Sequence, residues 1–141
     1  MMKKTSEVKK LQNKALKLWK DVCFLRDGGE CQVRKEFPFI QIHHTDIIQI
    51  DHCISRNNKH FFIDPRNGTT VCSACNYAKK YKLKSIDRAI DYIVKKREGK
   101  HIFESMVKLD QSMTANDNWK NIEWLEYEIK KLEQKRQLLL P

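Results

Sequence analysis

The chain has 141 residues, 40% of them hydrophobic and 33% charged, with a net charge of +10. That is enough to bury one core of ordinary size, and it contains no run of about 18 apolar residues of the kind that crosses a bilayer. A disulfide-built secreted scaffold is disfavoured by five cysteines, an odd number, in a chain that opens on charged helix instead of an apolar leader. A cytoplasmic protein without a membrane partner is expected.

Residues 1–26 hold eight Lys/Arg against two acids, and from Ser6 to about Leu25 apolar residues recur at helical spacing: Val8, Leu11, Ala15, Leu18/Trp19 and Val22. This predicts an amphipathic basic helix, ended by Arg26-Asp27-Gly28-Gly29 because paired glycines do not sustain a helix. Beyond Pro38, residues 39–43 and 47–52 read as two short strands with His44-Thr45-Asp46 as the turn between them. Residues 55–70 read as a polar loop ending at Asn67-Gly68.

From Val71 to about Leu83 a helix is predicted, on which Cys72 and Cys75 share a face and Asn76, Lys79 and Lys80 also share a face. Ser85 is the expected N-cap of a helix to about Lys96, with Ile86, Ala89, Ile90 and Ile93 inward. A short helix follows from His101 to about Leu109, then a linker over residues 114–118. A long helix over 119–139 places Ile122, Leu125, Ile129, Leu132 and Leu139 on one seam. That seam is expected to pack on the chain's own core, with a homodimer as the alternative to a monomer. Trp19, Trp119 and Trp124 lie at core spacing.

Residues 79–100 carry nine Lys/Arg against three acids, so this segment and residues 1–26 are each +6, while the segments 27–78 and 101–141 are each about −1. Positive charge thus flanks residues 51–76, as expected if a polyanion lies across them. Asp51 and Asn76 offer hard oxygen ligands for a divalent cation, and His52, with an ordinary pKa of about 6.5, offers a base that works near neutrality. Neighbours on a regular strand face opposite ways, so Asp51 and His52 can serve one phosphate only where the strand twists or ends. Arg56, Lys59, Arg66, Lys79, Lys80 and Lys82 are the candidate DNA phosphate contacts, and DNA is the expected partner.

Strand-Asp51-His52, a loop with Asn67, then Cys72-x-x-Cys75-Asn76 on a helix resembles the HNH nucleases of the ββα-metal fold. The stretch Leu25 to Gln32 is similar to the segment before the hairpin in many of them. His52-Cys53-Ile54-Ser55-Arg56-Asn57 and Asp64-Pro65-Arg66-Asn67-Gly68 resemble phage recombination nucleases of the NinG type. The resemblance implies an α+β fold: a small ββα-metal core with a β-hairpin at 27–85, a basic N-terminal helix at 1–26, and a helical extension at 86–141, forming one compact domain overall.

It further implies an endonuclease that hydrolyses DNA phosphodiesters by a one-metal mechanism, encoded by a phage or bacterium, with branched recombination intermediates as the expected substrate. Asp51 and Asn76 would bind Mg²⁺ or Mn²⁺, His52 would be the general base, and Asn67 would tie the loop and orient that base. Many relatives clamp a structural zinc with two Cys-x-x-Cys pairs. Here Arg34 stands where the partner of Cys31 would be, leaving Cys31, Cys72 and Cys75 for a site that wants four ligands. His43, His44, Cys53 or Cys23 could complete it, or the thiols could pack as small hydrophobes. The alternative function is a zinc-knuckle DNA-binding module without catalysis.

Overall fold

The computed structural model describes residues 2–54, 56–81, 83–112 and 117–141. They form a mixed α+β structure with helices α1 (Met2–Arg26), α2 (Gln32–Glu36), α3 (Ser73–Lys80), α4 (Lys84–Glu98), α5 (Lys100–Ser112) and α6 (Ile122–Leu139). Strands β1 (Ile48–His52) and β2 (Gly68–Cys72) pair antiparallel, with Ile48 opposite Cys72, Ile50 opposite Thr70 and His52 opposite Gly68. Among the described residues no helix is long and apolar enough to cross a membrane.

The helical spacing of α1 turns Ala15, Leu18, Trp19 and Val22 inward, and all four are buried. Gly28 and Gly29 end the helix at φ 68° and 70°, a region L-residues avoid. Their N–H groups return to the carbonyls of Leu25 and Phe24 at 3.2 and 2.9 Å. The helix end is then stitched to β2: Arg26 donates to the carbonyls of Pro65 and Gly68, both at 2.6 Å, and the Asp27 carboxylate accepts from Arg26 and from the Thr70 amide.

β2 is buried along its whole length, packed by α1, α2 and α3, and Val71 joins Ile86 and Ile90 of α4 in one core cluster. Gly68 is required by close approach, since a Cβ there would collide with Cys23 Sγ and the Trp19 ring. The hairpin expected within 39–52 does not form. Residues 39–43 lack strand structure, and β1 pairs instead with 68–72, across the long connection 53–67. The helix expected from Val71 begins at Ser73, because Val71 and Cys72 complete the ladder. Ser85 is not the cap of α4, which starts at Lys84 with Leu83 in the capping position. Residues 114–116 of the expected linker, and Lys82, lie outside the described residues.

The core has two main parts. One joins α1, Phe62, Ile63 and α6, the other joins α2, β2, α3 and α4 through Val33, Val71, Ile86, Ile90 and Ile93. Ile129 and Leu132 of α6 are buried in one cluster with α1, and Leu125 of the same seam is fully buried, so the apolar seam meets the chain's own core. Trp19 is fully buried and donates its Nε1–H to the Asp64 carbonyl at 2.8 Å, which satisfies its one polar atom; Trp119 and Trp124 pack at the edge of the same cluster.

Candidate metal centre and adjoining cleft

Cys31 caps α2, Cys72 is the last residue of β2 and caps α3, Cys75 lies in the first turn of α3, and His44 comes from the loop before β1. Their ligand atoms all lie within 4.8 Å of one another. Cys31 Sγ is 3.7 Å from Cys75 Sγ, and His44 Nδ1 is 3.3, 3.5 and 4.0 Å from the sulfurs of Cys72, Cys75 and Cys31. A tetrahedral zinc, with bonds of about 2.3 Å to sulfur and about 2.0 Å to nitrogen, sets its ligand atoms roughly 3.3 to 3.8 Å apart. The three thiols and one imidazole could therefore hold a metal ion such as zinc.

The cluster is largely buried. The contact between the two sulfurs pulls Cys31 down to about 5, while Cys75 itself is pushed far up by that contact and by burial. Of the four candidates for the last ligand, His44 is the one brought in. His43 is exposed, Cys53 donates to Asp91 at 3.5 Å, and Cys23 is buried beside Gly68; burial pushes both of these thiols up to about 12.

On the other side of β1 an open cleft of about 670 Å³ is lined by Asp51, His52, Gln49 and Asn76, with Lys20 and Arg56 at its rim. Strand alternation sends Asp51 toward Lys79 of α3 and His52 toward Trp19 of α1, yet both line this cleft because it runs along the whole of β1. The His52 ring is sandwiched between Trp19 and Phe62, at centroid distances of 4.1 and 4.8 Å. Its Nε2 lies 2.9 Å from the Phe62 carbonyl. A carbonyl only accepts, so Nε2 carries the proton and Nδ1 is the basic nitrogen. Burial lowers the pKa of His52 to about 4, so the ring is neutral at pH 7.

Asn67 is fully buried. Its side-chain oxygen accepts from the Ile54 amide, and its Nδ2 donates to the carbonyls of Phe61 at 3.0 Å and Ile54 at 3.3 Å. All three of these hydrogen bonds go to backbone, tying Asn67 to Ile54 and to Phe61, the residue before the Phe62 carbonyl.

No protein-family model, curated protein or solved structure matches this chain.

Asp51 is only 7% exposed, and Lys79 Nζ donates to its carboxylate at 2.6 Å and to the His52 carbonyl at 3.0 Å. Burial raises the pKa of Asp51 against the pull of that ammonium, with Asp87 and Asp91 adding to the rise. Asn76 donates its Nδ2 to Gln49 Oε1 at 2.6 Å, which leaves the amide oxygen as the group it can offer a cation.

The six expected phosphate contacts separate. Arg56 and Lys80 are exposed. Lys79 is instead the buried partner of Asp51, Arg66 is held by Asp64 at 2.7 Å, and Lys59 sits 3.9 Å over the Phe62 ring. Sequence reasoning missed two features here, the Lys79–Asp51 pair and Trp19 as the wall behind His52. Lys79 lies one turn beyond Cys75 on the same side of α3, and that was the available signal for an inward-facing lysine.

Proposed function

We propose that this chain is a metal-dependent endonuclease of the HNH type, hydrolysing DNA, with branched recombination intermediates as the expected substrates and the β1-β2-α3 unit as its ββα-metal core. The observation that carries this reading is His52 at the cleft. It is neutral, wedged between two rings, and anchored through Nε2 so that Nδ1 is the nitrogen free to take a proton.

A phosphate crossing the cleft meets Lys20 and Arg56 at the rim. Water beside it loses its proton to His52 Nδ1 as it attacks phosphorus. Asn67 acts as a positioning residue, because the loop it clamps carries the carbonyl that fixes the ring. A carboxylate and an amide oxygen are the donor types a hard divalent cation takes, so Asp51 and Asn76 would hold Mg²⁺ or Mn²⁺ once Lys79 yields Asp51. When bound, that ion supplies charge stabilisation for the pentavalent phosphate and the leaving oxygen. Zinc at Cys31, His44, Cys72 and Cys75 is structural in this reading, since four protein ligands leave no open position.

One observation favours the second reading, a zinc-knuckle DNA-binding module without catalysis: the Lys79 ammonium already neutralises Asp51. Supercoiled plasmid and a synthetic four-way junction, incubated with Mg²⁺ or Mn²⁺, separate the two. The nuclease reading expects nicking or cleavage that His52→Ala abolishes. Substrates left intact by the wild-type protein in every divalent ion, with salt-sensitive binding retained, would establish the module instead.

A further inference from the structure

The outer side of α3 carries two neighbouring rows, Asn76 with Lys80 and Tyr77 with Tyr81, each spaced by one helical turn. Tyr77 and Tyr81 are 63% and 65% exposed, and their rings stand 4.4 Å apart at 37°. Beside them lies a shallow apolar hollow formed by Ile42, Ala74, Ala78 and Leu83. Lys80 and Lys84 are exposed and flank Tyr81 and Leu83 in the chain, within the +6 segment 79–100. Asn76, in the adjoining row, lines the cleft that holds Asp51 and His52. Asn76 and Tyr77 are neighbours on α3, so the tyrosine surface adjoins the cleft.

We propose that Tyr77 and Tyr81 form a stacking platform for unpaired bases of the DNA substrate, so that the protein engages strands carrying single-stranded or splayed nucleotides in preference to intact duplex. This rests on the DNA reading above and adds the structural class of substrate. In a duplex both faces of each base are covered by neighbours. A flat, exposed ring can take only a base that has left the stack, and such stacking tolerates any base identity. Lys80 and Lys84 are placed to meet the phosphates of the same strand while its backbone continues past Asn76 into the cleft. A second copy of this chain is a poorer occupant, because it would bring two +6 segments face to face.

The test is binding, measured without added divalent ion. A labelled duplex is compared with the same duplex bearing a single-stranded flap that contains a fluorescent adenine analogue. Wild type should prefer the flap and quench the analogue. Tyr77→Ala combined with Tyr81→Ala should lose about tenfold or more in affinity for the flap and stay within about twofold on the duplex, with the quenching gone. The corresponding double Phe variant should keep both preference and quenching. The proposal is overturned if wild type shows no preference for unpaired nucleotides, if the double Ala variant weakens both DNAs equally or neither, or if quenching survives in it. A wild-type dimer in sedimentation that the double Ala variant dissociates would assign the patch to self-association. Failure of plasmid cleavage alone would sink the nuclease reading and leave this comparison standing.

Discussion

His52 shows how the surroundings of one ring set both its chemistry and its cost. In the unfolded chain the imidazole titrates near 6.5, but between Trp19 and Phe62 burial lowers it to about 4. Between those values the unfolded state binds more protons than the folded one, so stability rises with pH across the window and is lost as pH falls from about 6.5 toward 4. Denaturant midpoints at pH 7 and at pH 4.5 should show wild type losing more than His52→Phe. The difference is at most roughly 3 kcal/mol, and solvent at the open edge of the ring reduces it. Equal losses would mean that the ring is not buried as described. In the proposed reaction the base is already neutral well below pH 6.5, so cleavage should lack an acid limb near that value.

Lys79 poses the complementary test. Lys79→Met leaves the Asp51 carboxylate buried without its partner and should cost about 3–5 kcal/mol. If Asp51 is a cation ligand, Mg²⁺ or Mn²⁺ should then raise the melting temperature of the variant more than that of wild type, because the ion replaces the missing ammonium. The absence of any such gain would remove Asp51 from the metal site.

Among the elements, β2 and α3 carry most of the consequence. Five residues of β2 lead directly into α3, with Cys72 at the junction and Cys75 one turn later, while His44 and Cys31 approach from separate segments. Metal at this point would tie α2, the loop before β1, β2 and α3 together. Elemental analysis should find about one zinc per chain, reduced by His44→Ala and by Cys72→Ser but unchanged by Cys53→Ser, and chelation should lower the melting temperature. A wild-type protein without bound metal would leave the thiols as packing groups. The connection 53–67 is an element of a different kind. It has little regular structure, yet Asn67 closes it with three side-chain hydrogen bonds, and Ile54, Phe61 and Met106 pack inside it.

Across the whole molecule, the first and last helices pack on each other, and α1 also lines the cleft. Leu132→Ala should open a cavity against α1 and cost about 2–5 kcal/mol, whereas Leu138→Ala, at a side chain 86% exposed, should be nearly neutral. Similar losses from both variants in urea unfolding would count against the packing of α6 on α1. The ion pairs Lys14–Glu133 and Arg136–Asp21 across the same two helices are solvent-exposed and add little.

Several features were legible in the sequence because they are local. The 3.6-residue spacing of Ala15, Leu18, Trp19 and Val22 announces α1, and that of Ile86, Ala89, Ile90 and Ile93 announces α4. Gly28-Gly29 marks a stop, and Cys72-x-x-Cys75 marks a close pair of candidate ligands. The partner of β1 was not local. Ile40 and Ile42 resemble a strand as well as Thr69, Thr70 and Val71 do, and Asn67-Gly68 looks like a turn until Asn67 is seen to be buried. Pairing across 53–67 is decided by which segment can be buried on both faces, a property of the assembled core. The same holds for the fourth ligand and for Lys79. Four residues were equivalent candidates beside the three cysteines, and three-dimensional proximity alone selects His44; a lysine that reads as a phosphate contact turns inward because a buried carboxylate waits there. Periodicity and residue chemistry determined the helices and the kinds of group available, while long-range packing decided which of those groups meet.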